Sequence, residues 1–253
     1  MTGSKGHYRT LILLLSTALM SACNTRHGNI VLTFDDDNIA DWYGARDLFN
    51  EYDIKATFFI TRPHKLDSIQ ISQLHALQAD GHEIGCHTLT HKNAVTYCDT
   101  SSIQKYIEHE VLPAKQLLAR YGFETSYFAY PNGRSTPSID TALLEYFQIL
   151  RKATYNIEDT TIDCIDRIYS NGSSRVVDAM GIDVVYKITI ENLETGIKRI
   201  ARSGESLILY AHEINESGGN YTISKEYLEE LFRLCRKYKI KSITCFELVC
   251  ASH

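Results

Sequence analysis

From residue 30 onward, short apolar runs alternate with amphipathic stretches. The runs at 30–34, 56–60, 82–86, 127–130, 149–154, 176–182, 206–210 and 243–246 are short, and most are rich in β-branched and aromatic residues, the pattern of buried strands. Between them, 39–49, 68–79, 101–121, 139–147, 190–202 and 225–238 carry helical signals. Asp80-Gly81 stops the second of these helices; Ser101 and Ser102 cap the third and Gly122 closes it. Pro113, inside the third helix, removes an N–H and predicts a kink. Repeated β–α alternation predicts parallel strands joined by helical crossovers. Seven or eight such units predict an α/β protein built as a barrel rather than an open sheet, with its chemistry at the C-terminal strand ends.

The N-terminus breaks this pattern. Lys5 and Arg9 precede an apolar run at 11–20, and Ser21-Ala22-Cys23 follows. A basic start, a short apolar core and small residues describe a secretory signal, too short to span a bilayer comfortably. Its ending resembles a bacterial lipobox, which implies cleavage before Cys23, lipidation of that thiol, and export to the cell envelope with a membrane as partner through the anchor. The expected organisation is a signal at 1–22, a short tether at 23–28 and a single domain at 29–253. The other six cysteines contain no C-x-x-C, so a cysteine zinc site or a thioredoxin-like motif is not expected. Hydrophobic residues at 44% and charged residues at 23% are a globular mix, and they exclude a disordered chain. The net charge of -5, with no basic patch, argues against nucleic acid as the main partner.

The strand ends carry ligand chemistry. The first run ends in Asp35-Asp36-Asp37, carboxylates that are costly after an apolar strand unless solvated or paired with a cation. Neighbours at a strand end point in different directions, so one Asp can face a metal and the next a substrate. The third run ends in His87-Thr88-Leu89-Thr90-His91, and histidines at i and i+4 share one face of a helical turn and can chelate a metal. One Asp and two His leave a fourth position for water, the composition of a catalytic rather than a structural zinc site. A late run ends in His212, and Tyr130-Pro131-Asn132-Gly133 is a strand end followed by a turn that can expose a backbone N–H. Taken singly, each pattern also fits a plainer role: a solvated acidic loop, a core histidine, a simple turn.

In order, Thr33-Phe34-Asp35-Asp36, His87-x-x-x-His91, Tyr130-Pro131-x-Gly133 and Leu209-x-x-His212 resemble the motifs of the NodB-type polysaccharide deacetylases, a carbohydrate esterase family. The resemblance implies a distorted (β/α) barrel that binds a divalent metal, usually zinc, and removes acetyl groups from an acetylated glycan. It implies Asp36, His87 and His91 as metal ligands, Asp35 as general base, His212 as general acid, and the Tyr130 N–H, beside Pro131, as an oxyanion donor. Two positions depart from the family pattern. Ala129 stands where an arginine often orients the catalytic Asp, with Arg151 on the next strand as a possible substitute. No Asp-Trp segment supplies the partner of His212, which leaves Asp178 and Asp183 as candidates; Trp42 is the single tryptophan. The competing functions are a sugar-binding lipoprotein without activity and an amidase acting on a small non-sugar substrate.

Overall fold

A computed structural model of the chain describes residues 28–154 and 160–250. Cys23, the signal at 1–22 and most of the tether lie outside them. Seven strands form the frame: β1 (Asn29–Asp36), β2 (Ala56–Ile60), β3 (Glu83–Cys86), β4 (Tyr127–Ala129), β5 (Ile149–Thr154), β6 (Val176–Gly181) and β7 (Ser206–Ala211). Each pairs in parallel with the next. β7 pairs back onto β1 from Asn29↔Ser206 to Phe34↔Ala211, so the sheet closes. The expected seven or eight units resolve to a closed seven-stranded barrel.

Strand parity sorts the side chains. Ile30, Leu32 and Phe34 pack outward in the layer between strands and helices. Val31, Phe59, Ala129, Ile149 and Tyr210 belong to a second cluster that fills the barrel interior. Asp35 and Arg151 share the parity of Val31 and Ile149, so both point inward. Gly85 is required here: a Cβ on it would lie 2.4 Å from the Phe59 ring.

The helices wrap the barrel as α1 (Ile39–Gly44), α2 (Arg46–Glu51), α3 (Ser68–Ala79), α4 (Ala94–Thr100), α5 (Ile103–Tyr106), α6 (Leu112–Arg120), α7 (Pro137–Leu143), α8 (Ile190–Ser203), α9 (Lys225–Tyr238) and α10 (Cys245–Cys250). Three expectations are corrected. The stretch 39–49 is two helices broken at Ala45. The long helix at 101–121 is divided into α5, a π turn at Ile107–Val111 and α6, with Pro113 at the start of α6, where its missing N–H costs least. The run 243–246 is not a strand. The Thr244 hydroxyl accepts from the Glu247 N–H and Glu247 Oε2 from the Thr244 N–H, a reciprocal cap that starts α10. The six described cysteines are all free thiols.

Candidate active site

Every motif lies at the C-terminal rim of the barrel. Asp35, Asp36, His87, His91, Arg151 and His212 all line one pocket of about 390 Å³. Asp36, at the end of β1, and His87 and His91, just beyond β3, bring their ligand atoms within 4.8 Å of one another. The histidines do not share a helical turn as the spacing suggests. They sit on a loop in which Thr88 (φ 72°) and His91 (φ 64°) adopt left-handed backbone, as does Asp36 (φ 87°). Such conformations are uncommon outside glycine and disfavoured for a β-branched residue. Backbone strain of this kind collects where a side chain must be aimed against local preference.

These three side chains fit a cation. Nδ1–H of His87 donates to the Ala129 carbonyl at 2.8 Å, which leaves the Nε2 lone pair facing Asp36. Burial pushes the His87 imidazole down to about 4, so it is neutral at pH 7. Oδ1 of Asp36 is buried and accepts no hydrogen bond, although His91 Nε2 lies 3.2 Å away. A carboxylate oxygen and two imidazole nitrogens converge without a donor between Asp36 and its neighbours, the donor set of an open metal site.

Asp35 points the other way, into the barrel. It is 3% exposed and forms an ion pair with the Arg151 guanidinium. Burial alone would push its carboxyl up; Arg151, helped by His87 and His212, overrides this and holds it below the ordinary carboxylate range. Arg151 is itself buried, between the faces of Phe59 and Tyr210, with ring centroids 5.4 and 5.0 Å from its guanidinium carbon. Its register partner on β4 is Ala129, so the arginine reaches the same layer of the barrel from the neighbouring strand.

His212 is held at its amide, its ring and its carbonyl. Its N–H donates to Asp183 Oδ1 at 3.0 Å, its Nδ1–H donates to Asp183 Oδ2 at 2.7 Å, and its carbonyl accepts from Trp42 Nε1 at 2.7 Å. Burial alone would lower its pKa; the Asp183 carboxylate outweighs it and raises His212 above the usual imidazole value. Of the two candidate partners, Asp183 is thus the one at His212. Asp178 faces Lys152 and Thr154 instead.

The Tyr130 N–H does not face the pocket. It donates to the Arg151 carbonyl at 3.0 Å within the sheet, and the Tyr130 hydroxyl donates to Asp140. This departs from its expected role as an oxyanion donor. Asn132 and Gly133, from the same turn, line the pocket, whereas Tyr130 and Pro131 are buried beneath it. The lining also carries three aromatic side chains, Tyr186, Tyr210 and the exposed Tyr221. Trp42 and these tyrosines escape sequence reasoning; that Trp42 is the single tryptophan was a weak signal for it.

The sequence matches the family described as polysaccharide deacetylase over residues 23–149. A Bacillus subtilis (strain 168) protein described as a polysaccharide deacetylase, YheN, is 30% identical over 159 residues, 62% of this chain and 53% of that protein. The chain therefore spans about half the length of that relative. The fold is similar to the chitin deacetylase of Colletotrichum lindemuthianum (TM-score 0.58, 19% identity, 89% of this chain and 88% of that one). It is also similar to a family 4 acetyl xylan esterase of Clostridium thermocellum, solved with a cobalt ion (TM-score 0.55, 19% identity, 87% and 90%).

Proposed function

The chain belongs to the polysaccharide deacetylase family, and from that premise we propose that it is a metal-dependent hydrolase removing acetyl groups from an acetylated glycan. The observation that carries this reading is a buried, ion-paired carboxylate and a carboxylate-bound histidine opening onto the same pocket as a three-residue metal-ligand set. Asp36, His87 and His91 would hold a divalent ion, with zinc the metal this reading takes, since one carboxylate and two imidazoles are a zinc-type donor set. Such an ion supplies Lewis acidity, which activates water and polarises the acetyl carbonyl.

The remaining roles belong to the chain. Asp35 is the general base: Arg151 keeps it ionised at neutral pH and fixes its direction. His212 is the general acid, because an amide nitrogen leaves poorly unless protonated and Asp183 keeps the imidazole charged to higher pH. Arg151 also bears on the reading of a sugar-binding protein without activity. That reading leans on Ala129 and on the missing Asp-Trp segment; Arg151 at Asp35 and Asp183 at His212 weigh against both grounds.

The acid's charge gives a pH prediction. His212 carries its proton below its raised pKa and loses it as pH rises through that value, so it sets the alkaline limb of activity. Asp183→Asn removes the charge that raises it, and burial then dominates. The alkaline limb of kcat/KM on an N-acetylated substrate should move to lower pH; an unmoved limb would contradict His212 as the acid. The function itself is tested by acetate release from a panel of acetylated glycans with and without chelator. Release that chelator abolishes is expected; no release from any glycan by metal-loaded protein rules the reading out.

A further inference from the structure

The loop carrying His87 and His91 is gripped from behind by a residue outside the pocket. The Leu89 N–H donates to the Glu110 carbonyl at 2.8 Å, the Thr90 N–H to Glu110 Oε2 at 2.9 Å, and the Thr90 hydroxyl to Glu110 Oε1 at 2.5 Å. Glu110 is 5% exposed. A carboxylate removed from water is costly unless its oxygens find donors, and here both oxygens are committed to Thr90.

The element presenting Glu110 is unusual. Residue 110 lies in the π turn at Ile107–Val111, ahead of Pro113. A π turn inserts one residue into a helix, which rotates the following side chains by about 100° relative to an unbroken α-helix. Single π turns of this kind recur at functional sites.

The gripped loop needs a restraint. Thr88 and His91 both hold left-handed backbone, which persists only where the surroundings over-determine it. Within the loop, the His91 N–H donates to Thr88 Oγ1 at 3.0 Å; from just past β2, Thr61 Oγ1 donates to the Thr88 carbonyl at 3.3 Å. Glu110 supplies the restraint on the two residues between them. We propose that Glu110 is a positioning residue for the metal: by fixing Leu89 and Thr90 it keeps His91 Nε2 beside Asp36 in a ligating arrangement. This rests on the reading of Asp36, His87 and His91 as metal ligands.

The test is zinc binding to the metal-stripped full chain, followed by calorimetry, alongside the thermal midpoint of the metal-free protein. Glu110→Ala should weaken zinc binding by about 10-fold, the lower end of what losing a group bonded to a ligand costs, because Glu110 acts through Leu89 and Thr90. Glu110→Gln should stay close to wild type, because its amide oxygen can accept from the Thr90 N–H and its NH₂ can donate to the Thr90 hydroxyl. Thr90→Ala, which removes the hydroxyl donor but keeps the N–H donor to Glu110, should weaken zinc several-fold with a smaller fall in the metal-free midpoint than Glu110→Ala. A purely structural residue would lower the metal-free midpoint and leave zinc affinity intact. Wild-type zinc affinity in Thr90→Ala, or Glu110→Gln no better than Glu110→Ala, overturns the proposal; should Glu110→Ala fail to fold, those two variants decide it. If the wild type takes up no zinc, the metal reading falls and this inference with it, an outcome distinct from failure at Glu110 alone.

Discussion

Asp35→Asn should keep its metal and lose roughly 10²–10⁴ in turnover, the worth of a general base. Asp36→Asn, one residue along, should lose metal and activity together and regain part of both with added zinc. The two side chains leave β1 in opposite directions: Asp35 enters the barrel against Arg151, and Asp36 turns back at φ 87° towards His87 and His91. Asparagine preserves the shape at either position. At 35 it removes the proton acceptor, and with it the charge that pairs Arg151, but leaves the ligand set intact; at 36 it weakens a bond to the ion. Metal content by elemental analysis, measured with acetate release, separates them. If Asp35→Asn lost metal while Asp36→Asn kept it, the two roles would be exchanged.

Removing Arg151 should be as damaging by a different route. In Arg151→Met the Asp35 carboxyl stays buried and loses its cation, so burial drives its pKa up and a smaller fraction of the base is ionised at a given pH. Breaking a buried pair from one side costs about 3–5 kcal/mol. Turnover should fall by at least about 10², the lower range of a general base, and the acid limb of the pH profile should move to higher pH, because the base with the raised pKa ionises later. Placing the cation back from the neighbouring strand, Ala129→Arg in the Arg151→Ala background, should restore part of the rate because the two positions are register partners. A single Arg151→Met variant with wild-type activity would mean that Asp35 needs no counter-charge.

What could be read from the sequence follows what is local. Strands with apolar runs and motifs at their ends are visible in order along the chain, and α9 matches its predicted span because its Ser224 cap and amphipathic stripe are both local signals. Arg151 can be named from the sequence as a stand-in for the arginine missing at 129, but its reach to Asp35 depends on the register of β4 against β5, which one-dimensional reading does not give. The choice of Asp183 over Asp178 depends on tertiary placement: Asp178 sits inside β6 opposite Lys152, whereas Asp183 lies two residues past the strand, at His212. His87-x-x-x-His91 suggests a helix on spacing alone, yet the chelating geometry comes from a loop with two left-handed residues. At 244–247 the signal was present: Thr-x-x-Glu is a capping box, and the apolar run around it reads as a strand only if that box is passed over.

The central claim is that Asp36, His87 and His91 hold one metal on which glycan deacetylation depends. Its most direct test is a zinc titration of metal-stripped protein with acetate release from an acetylated glycan followed throughout. Activity should be absent without metal and rise linearly until about one ion per chain, the capacity of a single three-ligand site, then level off. Full activity in protein shown to be metal-free would contradict it.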